Sequence, residues 1–286
     1  MRSDSISTVG EAFRKGTALL HGVANPVVEA KILLMMATGL GEVELLSSPD
    51  RTISAAQEKR FYRLVGRRLD GRPLAYITGK KEFWSLPFKI VPGVLIPRPE
   101  TELIVETVLG LLAGAGETIV DIGTGSGNIA VALGKELPRA QIIATDVSAK
   151  ALELAKFNAR QNGVKNITFK RGSLFLPLRE IGIEGRCGFI VSNPPYISAG
   201  DWTTLPAEVR DHEPKRALLG GESGLEFIGK LVRGALAYLR PGGTLIFEVG
   251  QGQAEGALGL FDGCWTDVSA LPDLQGIPRV VKAIKT

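Results

Sequence analysis

Residues 119–128, which read IVDIGTGSGN, decide the fold of this chain. They describe a short apolar strand that ends in an acid and continues through three closely spaced glycines into a helix. In doubly wound α/β sheets such a turn lies at the carboxyl edge, where ligands bind, and glycine lets a ligand approach the backbone closely. Residues 125–130, GSGNIA, also fit the dinucleotide-binding fingerprint. The glycines alone therefore leave more than one cofactor class open.

The sequence around this segment alternates between strand and helix patterns. Strands are predicted over residues 118–121, 141–146, 167–171, 189–192 and 244–249, and helices over residues 128–137, 150–161 and 225–239. This rhythm predicts a parallel sheet covered by helices on both faces. The last two strands, 265–269 and 280–284, are joined without a crossover helix and should pair antiparallel. The sequence thus predicts an α/β fold with a Rossmann-like, mostly parallel sheet and a C-terminal antiparallel hairpin, which is typical of S-adenosylmethionine (SAM)-dependent methyltransferases.

Two acids end neighbouring strands of this predicted sheet and narrow the choice of cofactor. Asp146 ends the second strand and could accept hydrogen bonds from both ribose hydroxyls of a nicotinamide cofactor or of SAM. Asp121 precedes the glycines, where its carboxylate would repel a pyrophosphate but attract the amino group and sulfonium of SAM. Asp121 therefore favours SAM over the alternative of a nicotinamide-dependent oxidoreductase. The structural alternative is that both acids only cap helices or turns.

Residues 192–196, SNPPY, follow the fourth strand and carry the most specific signal. The nitrogen of an amide or an exocyclic amine is a poor nucleophile because its lone pair is delocalised. The N–H groups of such a nitrogen could donate hydrogen bonds to the Asn193 side-chain oxygen and to the Pro194 carbonyl. Pro194 and Pro195 stiffen the loop, and Tyr196 can stack on the planar group. A rigid turn capped by asparagine is the structural alternative. We predict methyl transfer to a planar nitrogen, with Asn193, Pro194 and Tyr196 as catalytic residues.

The first quarter of the chain is predicted to be helical. Asn25 and Ser54 are candidate helix caps, and we assign residues 1–72 to a small helical-bundle domain. The helix after Ser54 should bury its apolar residues Phe61, Leu64, Val65 and Leu69. The basic residues of this segment should form a solvated face, with a docking patch for an anionic partner as the alternative; they are Lys59, Arg60, Arg63, Arg67, Arg68 and Arg72. Residues 73–97 are rich in aromatic and β-branched residues and predict a β-hairpin connector. Residues 98–286 form the predicted SAM-dependent methyltransferase domain.

Composition restricts the remaining function classes. The net charge is +4 with a sequence pI near 9.1, which is too mild to demand a nucleic-acid partner. The two cysteines and two histidines do not form a metal-binding pattern. No apolar run is long enough to span a bilayer, and residues 1–16 lack a signal-peptide pattern. We predict a monomeric cytoplasmic protein with no metal site, no membrane attachment and no stable nucleic-acid complex.

Motifs that flank the NPPY string carry a resemblance to a known family. They are residues 96–102 (IPRPETE), 213–214 (EP), 217–218 (AL), 224–225 (GL), 248–250 (EVG) with Gln253, and 279–281 (RVV). Together with residues 121–127 and 193–196, they make the chain resemble the peptide chain release factor N5-glutamine methyltransferase family, the PrmC/HemK type. The resemblance covers nearly the whole chain. The NPPY string alone is shared with adenine and guanine methyltransferases, so a nucleic-acid base methyltransferase is the alternative.

This resemblance implies a substrate, a cofactor and a set of contacts. The substrate would be the glutamine of the GGQ loop in bacterial class I release factors, and SAM would leave as S-adenosylhomocysteine. The resemblance implies SAM contacts at Gly123, Thr124, Gly125, Ser126, Gly127 and Asp146, and we predict further cofactor contacts at Asp121, Ser173, Leu174 and Asn193. It implies glutamine contacts by Asn193, Pro194 and Tyr196, to which we add Pro195. Ser173 and Leu174 stand where the family usually has an acid and an aromatic, so Leu174 cannot stack on adenine. Residues 1–72 would recognise the body of the release factor.

Overall fold

The computed structural model describes residues 7–112 and 116–286. The chain divides into two compact units. The helical unit consists of Met1–Gly79 with Ala207–His212, and the sheet unit of Lys80–Pro206 with Glu213–Thr286. Within the described residues, no helix is long and apolar enough to cross a membrane.

The helical unit is built from short helices that bury one face each. They are α1 (Val9–Leu19), α2 (Pro26–Thr38), α3 (Glu42–Ser47), α4 (Ala55–Leu69) and α5 (Leu74–Thr78), with the return segment adding α10 (Ala207–Arg210). Ser54 caps α4 through a reciprocal pair of bonds with Gln57, as the sequence predicts. Asn25 precedes α2 and its Pro26, but its side chain makes no capping hydrogen bond. Phe61 of α4 is fully buried in the core.

Two residues of α4 depart from the prediction of a solvated basic face. Arg68 is buried, and its guanidinium donates to Glu29 of α2 at 2.5 Å and lies 2.8 Å from the carboxylate of Glu208. A buried charge needs such partners because water no longer solvates it. Leu69, which was predicted to lie in the core, is half exposed. The buried residues of α4 are Phe61, Leu64, Val65 and Arg68, which follow the regular spacing of one helix face, so Arg68 takes an inward position and Leu69 lies beside that face.

The segment after α4 corrects a second prediction. Residues 73–79 were predicted to be extended, but Leu74–Thr78 forms the helix α5, which begins after Pro73 and ends at Gly79 with φ +72°. Tyr76 and Ile77 pack as buried helix residues because tertiary packing overrides their strand propensity. The predicted hairpin follows, as the antiparallel pair β1 (Lys80–Phe83) and β2 (Leu86–Lys89).

The sheet unit contains a central sheet of seven strands among the described residues. In the order of the sheet these are β10 (Trp265–Pro272), β11 (Pro278–Lys285), β9 (Leu239–Glu248), β6 (Cys187–Ser192), β3 (Thr118–Ile122), β4 (Gln141–Asp146) and β5 (Ile167–Arg171). The pairs from β9 to β5 are parallel, and β11 pairs antiparallel with both β9 and β10. The predicted mostly parallel sheet with a C-terminal antiparallel hairpin is confirmed.

Helices and a small accessory sheet cover the central sheet. The helices are α6 (Glu102–Leu111), which follows a 3-10 turn at Pro99–Thr101, α7 (Asn128–Glu136), α8 (Ala149–Gln161), α9 (Leu176–Arg179), α11 (Lys215–Leu218), α12 (Glu226–Tyr238) and α13 (Ala254–Leu258). The accessory strands β7 (Ile197–Ser198) and β8 (Leu219–Gly221) pair in parallel, and Asp201–Thr204 forms a further 3-10 turn. Every residue of β6 is buried, as expected for a central strand covered on both faces.

The order of the strands places the ligand site. Chain order reverses at β3, because β4 lies on one side of it and β6 on the other. At such a switch point the loops after neighbouring strands leave in opposite directions and open a crevice at the carboxyl ends. The loops after β3, β4 and β6 begin at Gly123, Val147 and Asn193. The sequence predicts that these same loops bind the cofactor and the nitrogen that receives the methyl group.

Candidate active site

The glycine-rich loop after β3 is fastened to the end of β4. The amides of Gly123 and Thr124 both donate to the Thr145 carbonyl at 2.9 Å. Gly123, Gly125 and Gly127 all have positive φ, so residues with side chains would be strained there. A Cβ on Gly123 would meet no atom within 4 Å, whereas one on Gly127 would lie 2.9 Å from Ala155 Cβ of α8. Gly123 thus leaves room beside the loop, and Gly127 lets α7 pack against α8.

A cavity of about 680 Å³ opens beside this loop, within the sheet unit. Predicted site residues that line it are Gly123, Thr124, Gly125, Ser126, Asp146, Ser173, Leu174, Asn193 and Pro195. Leu174 takes a left-handed conformation with φ +48°, which is strained for a residue with a side chain. Phe227 of α12 lines the same cavity and was missed by the sequence analysis, since its apolar position looks like ordinary helix core. Gly127 and Asp121, which were also predicted to bind the cofactor, lie outside this lining.

Asp146 is held in one orientation at the edge of the cavity. Its two carboxylate oxygens accept from the amide of Gly125 at 2.9 Å and from the amide of Ser148 at 2.8 Å. Each oxygen has more than one acceptor position, so both can still accept a further hydrogen bond. The carboxylate therefore connects the glycine loop to the start of α8 and still offers acceptors to a ligand.

Asp121 is the most unusual group in this part of the sheet. Its side chain is fully buried, and neither carboxylate oxygen has a hydrogen-bond partner among the described residues. Burial is the main cause that raises the pKa of Asp121 to about 7; the nearby Asp146 acts in the same direction, whereas the Thr124 hydroxyl and the Ala130 amide nearby act against the rise. The Thr124 and Thr145 hydroxyls are also buried without a partner in the described part of the chain. An uncompensated acid here is the group that a cationic ligand would satisfy.

A second, small cavity adjoins the first beside the NPPY string. Asn193, Pro194, Tyr196 and Arg98 line it, and Asn193 and Arg98 line the large cavity as well. Arg98 pairs with the buried Glu213, which also accepts from the Ile96 amide at 3.1 Å. Glu213 thereby fixes the segment that carries Arg98. Glu213 belongs to a motif that carries the family resemblance, but the local sequence indicates no role for it.

The side chains of the NPPY string are tied to β9 and to the turn before α6. Asn193 Nδ2 donates to Thr101 Oγ1 at 2.9 Å, and Thr101 Oγ1 lies 2.5 Å from Glu248 Oε2. The Tyr196 hydroxyl donates to Glu248 Oε1 at 3.1 Å. Burial raises the pKa of Tyr196 far above its ordinary value, with Glu248 acting in the same direction, so the phenol keeps its proton. Thr101, which is fully buried, was not singled out from the sequence.

The backbone of the NPPY loop is held separately from its side chains. Gln253 Nε2 donates to the Tyr196 carbonyl at 2.8 Å, and Gln253 Oε1 accepts from the Gly250 amide at 3.0 Å. A Cβ on Gly224 would lie 2.2 Å from the same carbonyl oxygen, so the chain passes close by only because this residue is glycine. The flanking motifs quoted from the sequence thus converge on the loop that follows β6.

The sheet topology and this cavity define a SAM-dependent methyltransferase. The residues present fit the cofactor, because the glycine loop leaves open space beside it and the fixed Asp146 carboxylate at the cavity edge still offers acceptors to a ligand. Residues 99–208 match the sequence profile of the methyltransferase small domain, and residues 11–79 match that of the PrmC N-terminal domain. The chain belongs to the release factor glutamine methyltransferase family, as its relatives establish.

Those relatives cover almost the whole chain. The release factor glutamine methyltransferase of Moorella thermoacetica is 42% identical over 281 residues, which are 97% of each chain. That of Geobacter sulfurreducens is 44% identical over 268 residues, covering 93% of this chain and 92% of the relative. Among solved structures, a methyltransferase from Pyrococcus furiosus aligns with a TM-score of 0.51 at 20% identity, covering 77% of this chain and 96% of that one. The last comparison supports the fold alone.

Proposed function

We propose that this protein transfers the methyl group of SAM to the side-chain amide nitrogen of the glutamine in the GGQ motif of bacterial class I release factors. The observation that carries this proposal is the position of Asn193, which lines both the large cavity and the small one beside it. A planar amide that reaches Asn193 would lie next to a methyl donor in the large cavity. Its relatives are named for the same reaction.

The residues of the NPPY string would act on the glutamine amide. The two N–H groups of the glutamine amide would donate hydrogen bonds to the Asn193 side-chain oxygen and to the Pro194 carbonyl. These two hydrogen bonds favour positive charge on the nitrogen as the new bond forms. The lone pair attacks the methyl carbon, and the electrons of the carbon–sulfur bond pass to sulfur. The nitrogen then loses a proton, which has become acidic, so no strong base is needed. Pro195 stiffens the loop, and Tyr196 packs on the planar amide.

The residues around the large cavity would hold the cofactor. When bound, SAM supplies a methyl group on a positively charged sulfur, which is a strong electrophile. Asp121 would compensate its amino group, and Asp146 would accept from its ribose hydroxyls. The loop from Gly123 to Gly127, with Thr124, Gly125 and Ser126, would follow its methionine part. Ser173 and Leu174 would border the adenine.

The test uses labelled SAM, the purified protein and an unmethylated release factor, with duplex DNA and ribosomal RNA as competing substrates. Peptide mass spectrometry locates the label. We expect one methyl group on the GGQ glutamine, and a decrease of at least about a hundredfold in Asn193→Ala. Gln141→Ala is the matched control, because Gln141 is an exposed amide side chain at the start of β4, at the edge of the sheet opposite to the cavity. A label on a nucleic-acid base instead would assign the protein to the alternative class.

We also propose that the helical unit recognises the body of the release factor. Its match to the PrmC N-terminal domain supports this role. The intact enzyme should then show a clearly lower KM for whole release factor than for a short peptide containing the GGQ sequence, because only the former can reach a second contact. Equal KM values for the two substrates would contradict it.

The oligomeric state and location complete the proposal. We propose a cytoplasmic monomer that forms no stable complex with nucleic acid, which the mild net charge of +4 supports. Light scattering at micromolar concentration should give the mass of one chain, 30.5 kDa, with and without added ribosomal RNA. A stable increase in mass with RNA would refute this part of the proposal.

A further inference from the structure

One buried carboxylate connects the two side chains that are proposed to contact the glutamine. Glu248, at the end of β9, is 2% exposed. Its Oε2 lies 2.5 Å from the Thr101 hydroxyl, and its Oε1 accepts from the Tyr196 hydroxyl at 3.1 Å. Thr101 in turn contacts Asn193. Asn193 and Tyr196 are thus attached to separate oxygens of the same carboxylate, one through Thr101 and the other directly.

The direction of these hydrogen bonds follows from their chemistry. An ionised carboxylate only accepts, so the single Thr101 proton is donated to Glu248. Thr101 Oγ1 can then only accept from Asn193, and it does so from Nδ2 at 2.9 Å. Because the amide nitrogen of Asn193 is held in this way, its oxygen is the end left for a substrate. A reversed hydroxyl would instead turn a donor towards the Asn193 amide and favour the opposite orientation.

We propose that Glu248 and Thr101 are positioning residues for methyl transfer, which hold the Asn193 side-chain oxygen towards the glutamine amide. This inference rests on the function proposed above. Neither residue lines the large or the small cavity. Glu248 accepts the hydrogen bond of the Thr101 hydroxyl and so fixes the orientation of that hydroxyl. The Thr101 oxygen then accepts from Asn193 Nδ2 and fixes the orientation of the Asn193 amide. The second oxygen of Glu248 holds Tyr196 at the other side of the small cavity.

Stability alone gives no reason for a carboxylate at this position. Among residues 7–112 and 116–286, no cation lies within 4 Å of Glu248, and its two partners are neutral hydroxyls. Arg279, whose charge acts on Glu248 from a distance, pairs with Asp273 instead. Burial raises the pKa of Glu248 to about 6, which means that ionisation is unfavourable here. An acid that is retained despite this desolvation is typical of a functional site.

Substitutions at Thr101 separate this role from packing. Thr101→Val keeps the shape of the side chain but removes the hydroxyl, so Asn193 is no longer oriented. Thr101→Ser keeps the hydroxyl and removes a methyl group, which makes it the matched control. Glu248→Gln offers one donor and one acceptor to the two hydroxyls, so at least one of the two hydrogen bonds must reverse.

The experiment measures single-turnover methyl transfer to release factor at saturating labelled SAM, and SAM affinity by calorimetry. We expect Thr101→Val to slow transfer about tenfold or more and Thr101→Ser to stay within about threefold of the wild type, with unchanged SAM affinity in both. In the Asn193→Ala background, Thr101→Val should change the remaining rate less than about twofold, because the side chain it orients is gone. A packing role would instead slow transfer by the same factor in both backgrounds.

The outcomes distinguish this inference from the proposed function. If the wild type places no methyl group on the glutamine, the proposed function fails. If the wild type does so and Thr101→Val stays within about twofold of its rate, the positioning role is wrong while the function stands. Equal slowing by Thr101→Val with and without Asn193 also overturns the positioning role.

Discussion

Replacing Asp121 by asparagine should stabilise the cofactor-free protein above pH 7 while weakening SAM binding. The pKa of Asp121 rises from its ordinary value of 3.8 to about 7 because the side chain is fully buried. The folded state therefore holds a proton that the unfolded state releases, and the free energy of unfolding falls as the pH rises from about 4 to about 7. Each tenfold change in the ionisation constant corresponds to about 1.4 kcal/mol. Above pH 7 the free energy of unfolding is therefore lower by about 4 kcal/mol than it is when Asp121 is protonated in both states.

Asp121→Asn removes this loss but leaves a buried amide without partners, which costs about 1–3 kcal/mol at any pH. The difference in free energy of unfolding between variant and wild type should therefore increase by about 2.5 kcal/mol between pH 5 and pH 8. Urea denaturation of both proteins without SAM at the two pH values measures it. The comparison cancels the titration of other groups, since both proteins contain them.

The same variant should bind SAM at least about tenfold more weakly at pH 8, because the carboxylate that would compensate the cofactor's amino group is absent. Saturating SAM should accordingly stabilise the wild type more than the variant. A difference in unfolding free energy that is the same at pH 5 and pH 8 would refute the reasoning. It would mean that the Asp121 carboxylate ionises at its ordinary pKa and has a partner in the folded protein.

Three further variants test other parts of the structure. Asp146→Ala removes the carboxylate that joins the glycine loop to α8, and should raise the SAM dissociation constant at least about tenfold by calorimetry; an unchanged constant would exclude a cofactor contact. Arg68→Ala leaves Glu29 buried without its cation and should lower the free energy of unfolding by about 3 kcal/mol in urea, whereas Arg67→Ala, on the more exposed neighbour, should change it by less than about 1 kcal/mol. Gly127→Ala places a Cβ 2.9 Å from Ala155 Cβ at φ +84° and should destabilise the protein by at least about 1 kcal/mol; a melting temperature equal to the wild type's would contradict that packing.

The sheet unit could be predicted because its signals are local. The apolar strand, the acid and the glycines of residues 119–128 specify a strand, a turn and a helix in that order, and β3 and α7 form there. The missing crossover helix before residue 280 was enough to predict an antiparallel strand, and β11 pairs in that way. Both patterns act through the backbone of neighbouring residues, so no knowledge of distant contacts was needed.

The departures arise where distant residues decide the outcome. Arg68 lies on a helix whose apolar pattern places it at the surface, but the acids that receive it are 39 and 140 residues away in sequence. Thr101 and Glu248 are separated by 147 residues, and nothing in either local sequence indicates their hydrogen bond. The roles of the individual site residues stay predictions, because the cavity brings them together without testing what each one binds.

The return segment Ala207–His212 has a consequence for the synthesis of the chain. It belongs to the helical unit, although 127 residues of the sheet unit, Lys80–Pro206, precede it. Glu208 of this segment supplies one of the two carboxylates around Arg68. The ribosome must therefore translate as far as His212 before the helical unit can be completed. Until then Arg68 has only Glu29 as an ion-pair partner. The helical unit should therefore stay more open to proteolysis in the nascent chain than it is in the completed protein.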